Sequence, residues 1–254
     1  MEWVKEFYTR KSEWFGPSGI LDHHRVRVAT VERLGKPGLK RVLELGAGAG
    51  GSAAATADLG HNVVAIELSP LRAQYARDLA AQERAGTLTI LEADFYTVDL
   101  AGSFDVVTYW NGFGIGTDAD QRRLLHRIAH EWLAPDACIL MDVFSLSRWS
   151  RVAGTEERDA ESGLMQRNDF DPVGCRLLDQ WWSMSNPTEQ ITQSLRCYTP
   201  HDFLLLLADL PLVVQRWEVD ETAFDPRAHN FTMTSALWET WDYFVQLVPA
   251  RARE

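Results

Sequence analysis

Between residues 41 and 144, short apolar runs alternate with longer amphipathic stretches. The runs RVLELG (41–46), NVVAIEL (62–68), LTILEAD (88–94), FDVVTYW (104–110) and ACILMDVF (137–144) read as strands. The stretches between them read as helices over 52–60, over 71–85 and from Asp118 to Leu133. Ser69 is placed to cap the second of these, with Pro70 at its first position, and Pro135 closes the third. Strands alternating with helices at this spacing predict a doubly wound α/β fold, a mostly parallel sheet with helices on both faces.

The flanks differ. Residues 1–40 predict two helices, the second over 23–34, separated at Gly16-Pro17-Ser18-Gly19 and rich in aromatic side chains. After the fifth strand, GLMQRNDF (163–170), CRLLDQWWSM (175–184) and QITQSLRCYT (190–199) alternate like an antiparallel meander, with Trp181 and Trp182 facing opposite sides. A helix over 201–209 and a strand over 212–219 follow. In SALWETWDYFVQLV (235–248), Leu237, Trp241, Phe244, Val245 and Val248 fall on one face of a helix, a candidate homodimer surface. The expected organisation is one domain over 1–254. It comprises a helical segment (1–40), an α/β core (41–150), an antiparallel insertion (155–199) and a closing segment of strands and a helix (200–254).

Composition narrows the function. A formal net charge of −11 disfavours nucleic acid as a partner. No apolar run reaches the ~20 residues of a membrane helix, and the N-terminus has no apolar signal core. The expectation is a soluble cytoplasmic protein acting away from membranes. Lys5, Lys11, Lys36 and Lys40 all precede the glycine-rich stretch, so the lysine-bearing phosphate loop is excluded there. Cys138, Cys175 and Cys197 form no metal-like or paired spacing and read as thiols in a reducing compartment. His126 and His130 are four apart, but on a solvated helix face, and no metal is expected.

RVLELGAGAGGSAAA (41–55) fits two fingerprints. Gly46, Gly48 and Gly51 make the dinucleotide-binding G-x-G-x-x-G. Glu44, Gly46, Gly48 and Gly50 make E-x-G-x-G-x-G, the first motif of S-adenosylmethionine enzymes. An acid roughly 20 residues on takes ribose hydroxyls in either case, and Glu67 stands there. Four features favour S-adenosylmethionine. Glu44 would repel a diphosphate but suits an ammonium or sulfonium. Asp94 followed by Phe95 suits adenine. A helical segment precedes the first strand. No tyrosine has the lysine four residues later that a short-chain dehydrogenase needs.

VLELGAGAG, VVAIELSP, LEADF, FDVVTYWNGFG and LAPDACILMDVF, taken in order over about residues 39–144, resemble the class I S-adenosylmethionine-dependent methyltransferases of the small-molecule type. The resemblance implies a Rossmann-like, seven-stranded sheet with an N-terminal helical lid and a cap inserted after strand five. It departs at LAPDA, where the family often has L-x-P-G-G. It implies that Glu44, Gly46, Ala47 and Gly48 line the methionine end. Glu67 would accept the ribose hydroxyls, Leu68 would pack on adenine, and Asp94 and Phe95 would bind it. Trp110 and Asn111 would lie beside the methyl group, and Tyr8 near the sulfonium.

Candidate bases are His24 and His201, with Asn111 beside them at the reacting centre; His23, His229 and Asp142 are further possibilities. Arg148, Trp149, Trp181, Trp182 and Trp217 fall where a cap would close the site. The expected reaction is methyl transfer to oxygen, nitrogen or carbon of a small organic molecule, in bacterial secondary metabolism. The alternatives are a non-methylating cyclisation or rearrangement helped by the sulfonium, and a non-catalytic S-adenosylmethionine-binding subunit.

Overall fold

The computed structural model describes residues 2–228 and 231–250. Helices α1 (Glu2–Phe15) and α2 (Asp22–Leu34) precede the sheet. The expected alternation follows: β1 (Arg41–Leu45), α3 (Gly51–Asp58), β2 (Asn62–Glu67), α4 (Pro70–Ala80), β3 (Thr87–Glu92), β4 (Phe104–Tyr109), α5 (Asp118–Arg127) and β5 (Leu133–Phe144). Ser69 caps α4 by accepting from the Arg72 N–H, with Pro70 in the first turn. The cap of α5 is Thr117, with Asp120 returning the bond to the Thr117 N–H. The helix then widens into a π turn over Ile128–Trp132. Asp136 occupies a left-handed φ of 61°, so it adopts a conformation usually left to glycine in that turn.

After β5 come α6 (Leu146–Arg151), the strands β6 (Thr155–Arg158), β7 (Leu164–Asp171), β8 (Arg176–Ser183) and β9 (Asn186–Arg196), and α7 (Pro200–Leu206). The chain then adds β10 (Leu212–Val219), β11 (Thr222–Phe224), α8 (Phe231–Glu239) and β12 (Asp242–Pro249). The main sheet runs β11-β10-β12-β5-β4-β1-β2-β3, and β6 to β9 form a separate antiparallel sheet. The pairs among β1 to β5 are parallel, whereas β12 runs antiparallel to both β5 and β10.

Two expectations are corrected here. The main sheet has eight strands among the described residues, because the short β11 adds a hairpin edge to β10. The helix expected over 235–248 ends at Glu239, and β12 takes over. Tyr243, Val245 and Leu247 are buried on one side of that strand, with Phe244 and Val248 packed on the other. These residues are core and Trp241 stays exposed, so the single helical face expected as a dimer surface is not formed.

Alternation along the strands divides the core. Leu43, Leu45, Val107, Ile139, Met141 and Val245 pack toward α5 and α7. Val42, Val106, Leu140 and Cys138 pack toward α2 and α3. Continuing the second row up the strands brings Glu44, Trp110, Asp142 and Asp242 to the C-terminal edge beneath α2, where ligands of such sheets bind. The loop after β4 is fastened to the second sheet: the Arg196 N–H donates to Gly114 O at 2.9 Å, and Ile115 bridges Leu195.

Candidate active site

A cavity of about 300 Å3 opens at that edge, at the lower end of the range of small-molecule sites. Its floor is the turn from β1 into α3. Gly46, Gly48 and Gly50 all adopt positive φ there. A Cβ on Gly48 would run into the Arg72 guanidinium, and one on Gly51 into the His24 ring. The glycines thus let an arginine and a histidine close over the loop.

Glu67 ends β2 and is 4% exposed. Its Oε2 accepts the Gly48 N–H at 2.7 Å and its Oε1 the Ser69 N–H at 2.8 Å. Each oxygen keeps lone-pair capacity for a ligand hydroxyl. Glu44, also 4% exposed, lines the cavity, and burial raises its carboxyl to about 8 against the pull of Arg27. Among the described residues, no hydrogen bond reaches its side chain. A cationic ligand group is the partner that would make its ionisation favourable.

Every residue expected at the cofactor lines this cavity: Tyr8, Glu44, Gly46, Ala47, Gly48, Glu67, Leu68, Asp94, Phe95, Trp110 and Asn111. The Tyr8 hydroxyl donates to Gln193 Oε1 at 2.9 Å and the Arg72 guanidinium lies 4.8 Å from its ring centroid, so α1 roofs the cavity. Burial pushes the Tyr8 phenol to about 12, which keeps it a donor. Asp94 Oδ1 accepts the Tyr96 N–H at 2.8 Å, and Phe95 meets Tyr109 edge-on. Asn111 takes a φ of 53°, and its N–H donates to Asp142 Oδ1 at 2.6 Å.

The candidate bases fare differently. His24 lines the cavity, but its Nδ1 accepts the Leu21 N–H at 2.9 Å at the start of α2. Burial, with His23, Arg27 and Arg25 nearby, lowers it to about 4. It is a neutral helix-capping group at neutral pH. His201 is exposed at the start of α7 and does not line the cavity; it is withdrawn as a base. His229 lies outside the described residues. His23 lines the cavity and is lowered by burial and Arg27.

The expected aromatic cap also changes. Trp217 is core, packed on Phe203 and Tyr243. Trp149 packs on Phe144 and Trp241, Arg148 pairs with Glu239, and Trp181 lies under Lys11 and Phe15. The aromatic lining comes instead from Tyr8, Phe95, Tyr96, Tyr109 and Trp110. Among the described residues no group of side chains has the arrangement of a metal site, and no helix is long and apolar enough to cross a membrane.

Sequence reasoning missed Arg27 and Arg72, which line the cavity. Arg27 Nη2 is 3.8 Å from Asp142 Oδ2, Nη1 is 3.4 Å from Ser52 Oγ, and the guanidinium sits 5.5 Å from the Trp110 ring centroid. In the sequence it is one of several arginines in a charged helix, with no local signal setting it apart.

Residues 42–136, which build the glycine loop and its sheet, match the family described as "Methyltransferase domain". No curated protein sequence matches the chain. Solved structures agree in fold at low identity. The CcbJ methyltransferase of Streptomyces caelestis aligns with a TM-score of 0.74 at 19% identity, covering 97% of this chain and 96% of that one. The amino pentose methyltransferase CalS10 of Micromonospora echinaspora, solved with S-adenosylmethionine bound, gives 0.59 at 19% identity over 94% and 95%. The sugar N-methyltransferase KedS8 of a Streptoalloteichus species gives 0.61 at 17% identity over 90% and 87%. The family match falls on the strands and glycine loop that form the cavity, and the fold is that of the S-adenosylmethionine-dependent methyltransferases.

Proposed function

We propose that this enzyme methylates an amine nitrogen on a small molecule, with amino sugars as the model acceptors, in bacterial secondary metabolism. The observation that carries the reading is a charge imbalance. Glu44, Asp142 and Asp242 share one face of the sheet edge beneath α2, and the Arg27 charge acts on all three. Burial raises each of the three carboxyls. Glu44 is the one of the three that lines the cavity, so a positive group brought against it lets its carboxyl ionise, and the other two act on the site from outside it.

The cofactor, when bound, supplies an electrophilic methyl group on a sulfonium. The chain's own groups do the rest. Glu44 takes the ammonium and Arg27 the carboxylate of the methionine end. Glu67 accepts the ribose hydroxyls while still gripping the loop. Leu68, Asp94 and Phe95 hold the adenine, and Tyr8 roofs the cavity. Trp110 and Asn111 flank the methyl group and orient the acceptor for in-line attack. A bound ammonium must first pass its proton to an ionised carboxylate or to water; its lone pair then needs no strong base, and a neutral, capping His24 fits that chemistry. The relatives described as amino pentose and sugar N-methyltransferases support nitrogen as the acceptor atom.

The test is a matched pair of acceptors, an amino sugar and the sugar bearing hydroxyl at that carbon, with S-adenosylhomocysteine release as readout. Turnover confined to the amine is expected. Turnover of the hydroxyl sugar or of a phenol in its place would overturn the nitrogen assignment.

A further inference from the structure

Asp142 does not line the cavity, yet it holds two groups that do. Its Oδ1 accepts the Asn111 N–H at 2.6 Å, and its Oδ2 lies 3.8 Å from Arg27 Nη2. Asn111 sits at a φ of 53°, a left-handed conformation that asparagine adopts more readily than most residues, so the contact that fixes it there matters. The other end of its loop is fastened separately: Arg176 donates to the Gly116 and Gly114 carbonyls at 2.9 and 3.3 Å. At the near end, the carboxylate on β5 sets where the loop leaves the sheet. Through Arg27 the same carboxylate reaches α2, the Trp110 ring and, by Ser52, the first turn of α3.

We propose that Asp142 is a positioning residue for methyl transfer, setting the Asn111 backbone and the Arg27 guanidinium against the cavity from outside it. The inference rests on the methyl-transfer reading, but part of its test does not. The charged groups that face Asp142 are Arg27 from α2 and Asp242 from β12, with Glu44 on β1 beyond Arg27. Burial and then Asp242 raise the Asp142 carboxyl to about 7, while Arg27 and the Asn111 N–H oppose them. Below that pH the carboxyl is protonated and both contacts weaken. The positioning is then lost as pH falls through the neutral range.

The first readout needs no acceptor. In the full-length protein, the Asn111 amide proton should move downfield as pH rises through about 7, and the movement should vanish in Asp142→Asn. An Asn111 amide that shows no Asp142-dependent movement at any pH at which the protein stays folded would overturn the proposal. The second readout is kinetic, with S-adenosylmethionine and an amino sugar. Asp142→Asn should lower kcat by about tenfold with a smaller change in either KM, and remove the limb of kcat that rises with pH near 7; displacement of reacting groups by about 1 Å can cost as much as 100-fold. In an Arg27→Gln background the same substitution should cost under about threefold, since the two act together. Multiplicative effects, or an Asp142→Asn enzyme within about twofold of the parent with an unchanged pH profile, would sink the idea. Asp142→Asn preserves shape, so it carries the test if Asp142→Ala fails to fold. A parent protein that releases no S-adenosylhomocysteine with any amine would instead count against the proposed function, and the amide titration would still decide the positioning role.

Discussion

The Glu67 carboxylate accepts the Gly48 N–H at 2.7 Å, tying the end of β2 to the middle of the glycine loop. Its second oxygen holds the Ser69 N–H at 2.8 Å, at the cap of α4. One side chain therefore sets the loop, orients the next helix and faces the cavity. From sequence, Glu67→Ala looks like a pure binding lesion. The structure adds a folding cost, because two buried N–H groups lose their acceptor, at about 1–3 kcal/mol for an unsatisfied buried group. Glu67→Gln should behave similarly, since its amide nitrogen must face one of the two donors. The expected outcome for both is a lower Tm together with at least about tenfold weaker binding of S-adenosylhomocysteine, the equivalent of about 1.4 kcal/mol. Unchanged Tm with weakened binding would show that the loop holds without Glu67.

Glu44 makes the ligand-free enzyme lose stability as pH rises. Its folded carboxyl sits at about 8, above the ordinary value of 4.5, so between those limits the folded state holds a proton that the unfolded state releases. Asp142, at about 7, acts in the same direction. His24 acts oppositely but in a lower window. Lowered to about 4 from 6.5, it is neutral when folded, so its contribution is present above 6.5 and lost as pH falls toward 4. From about pH 7.5 to 8, above the range of the histidines, the raised carboxyls dominate, and the ligand-free Tm should fall. Glu44→Gln should flatten that slope. A cationic ligand favours the ionised carboxylate, so S-adenosylmethionine binding should release protons below pH 8, measurable by calorimetry in buffers of different ionisation enthalpy. Proton uptake on binding would contradict the role of Glu44.

The site was more legible in the sequence than the tail of the fold, for a physical reason. A glycine loop, a carboxylate at the end of β2 and an acid–aromatic pair after β3 are local features, each fixed by short-range backbone demands. The cavity accordingly collects Gly46, Gly48, Glu67, Asp94 and Phe95. Arg27 and Arg72 reach it from helix surfaces by tertiary packing, which leaves no local pattern. The misread of β12 has a similar origin. A strand inserted between β5 and β10 is covered on both faces, so Tyr243, Phe244 and Val245 follow one another without the polar alternation of a half-buried strand. Leu237, Trp241, Phe244 and Val248 then mimic a helical stripe.

Asp179 carries a prediction about the cap. It is 3% exposed on β8 and accepts from Gln166 at 2.8 Å and Gln193 at 2.6 Å, with Lys11 of α1 at 3.8 Å. Asp179→Leu takes the acceptor from Gln193, leaves Gln166 only its 3.4 Å contact with Asn168, and removes the carboxylate beside Lys11. The Lys11 ammonium is part-exposed, so the expected effect is a loss of about 1–3 kcal/mol, the range for buried polar groups left without a partner. Protease cutting near residues 1–20 should rise with it, since α1 loses its seat. A stable variant with α1 still protected would show that apolar contacts alone seat the helix.

Tyr8 tests the roof directly. It belongs to α1, lines the cavity, and is pinned by Gln193 on one side and Arg72 on the other. Tyr8→Phe keeps the ring over the cavity and removes one hydrogen bond, worth about 0.5–1.5 kcal/mol, so cofactor affinity should drop only about two- to tenfold. Tyr8→Ala removes the ring as well and opens the cavity to water, which weakens every electrostatic contact inside it. Its affinity for S-adenosylhomocysteine should fall further than that of Tyr8→Phe, and slow loss of turnover should accompany it. Gln193→Ala separates the two explanations. It breaks the same hydrogen bond from the cap side together with the Gln193–Asp179 bond, so its affinity should fall at least as far as that of Tyr8→Phe. If it fell as far as that of Tyr8→Ala, the position of α1 rather than the tyrosine ring would be what closes the site.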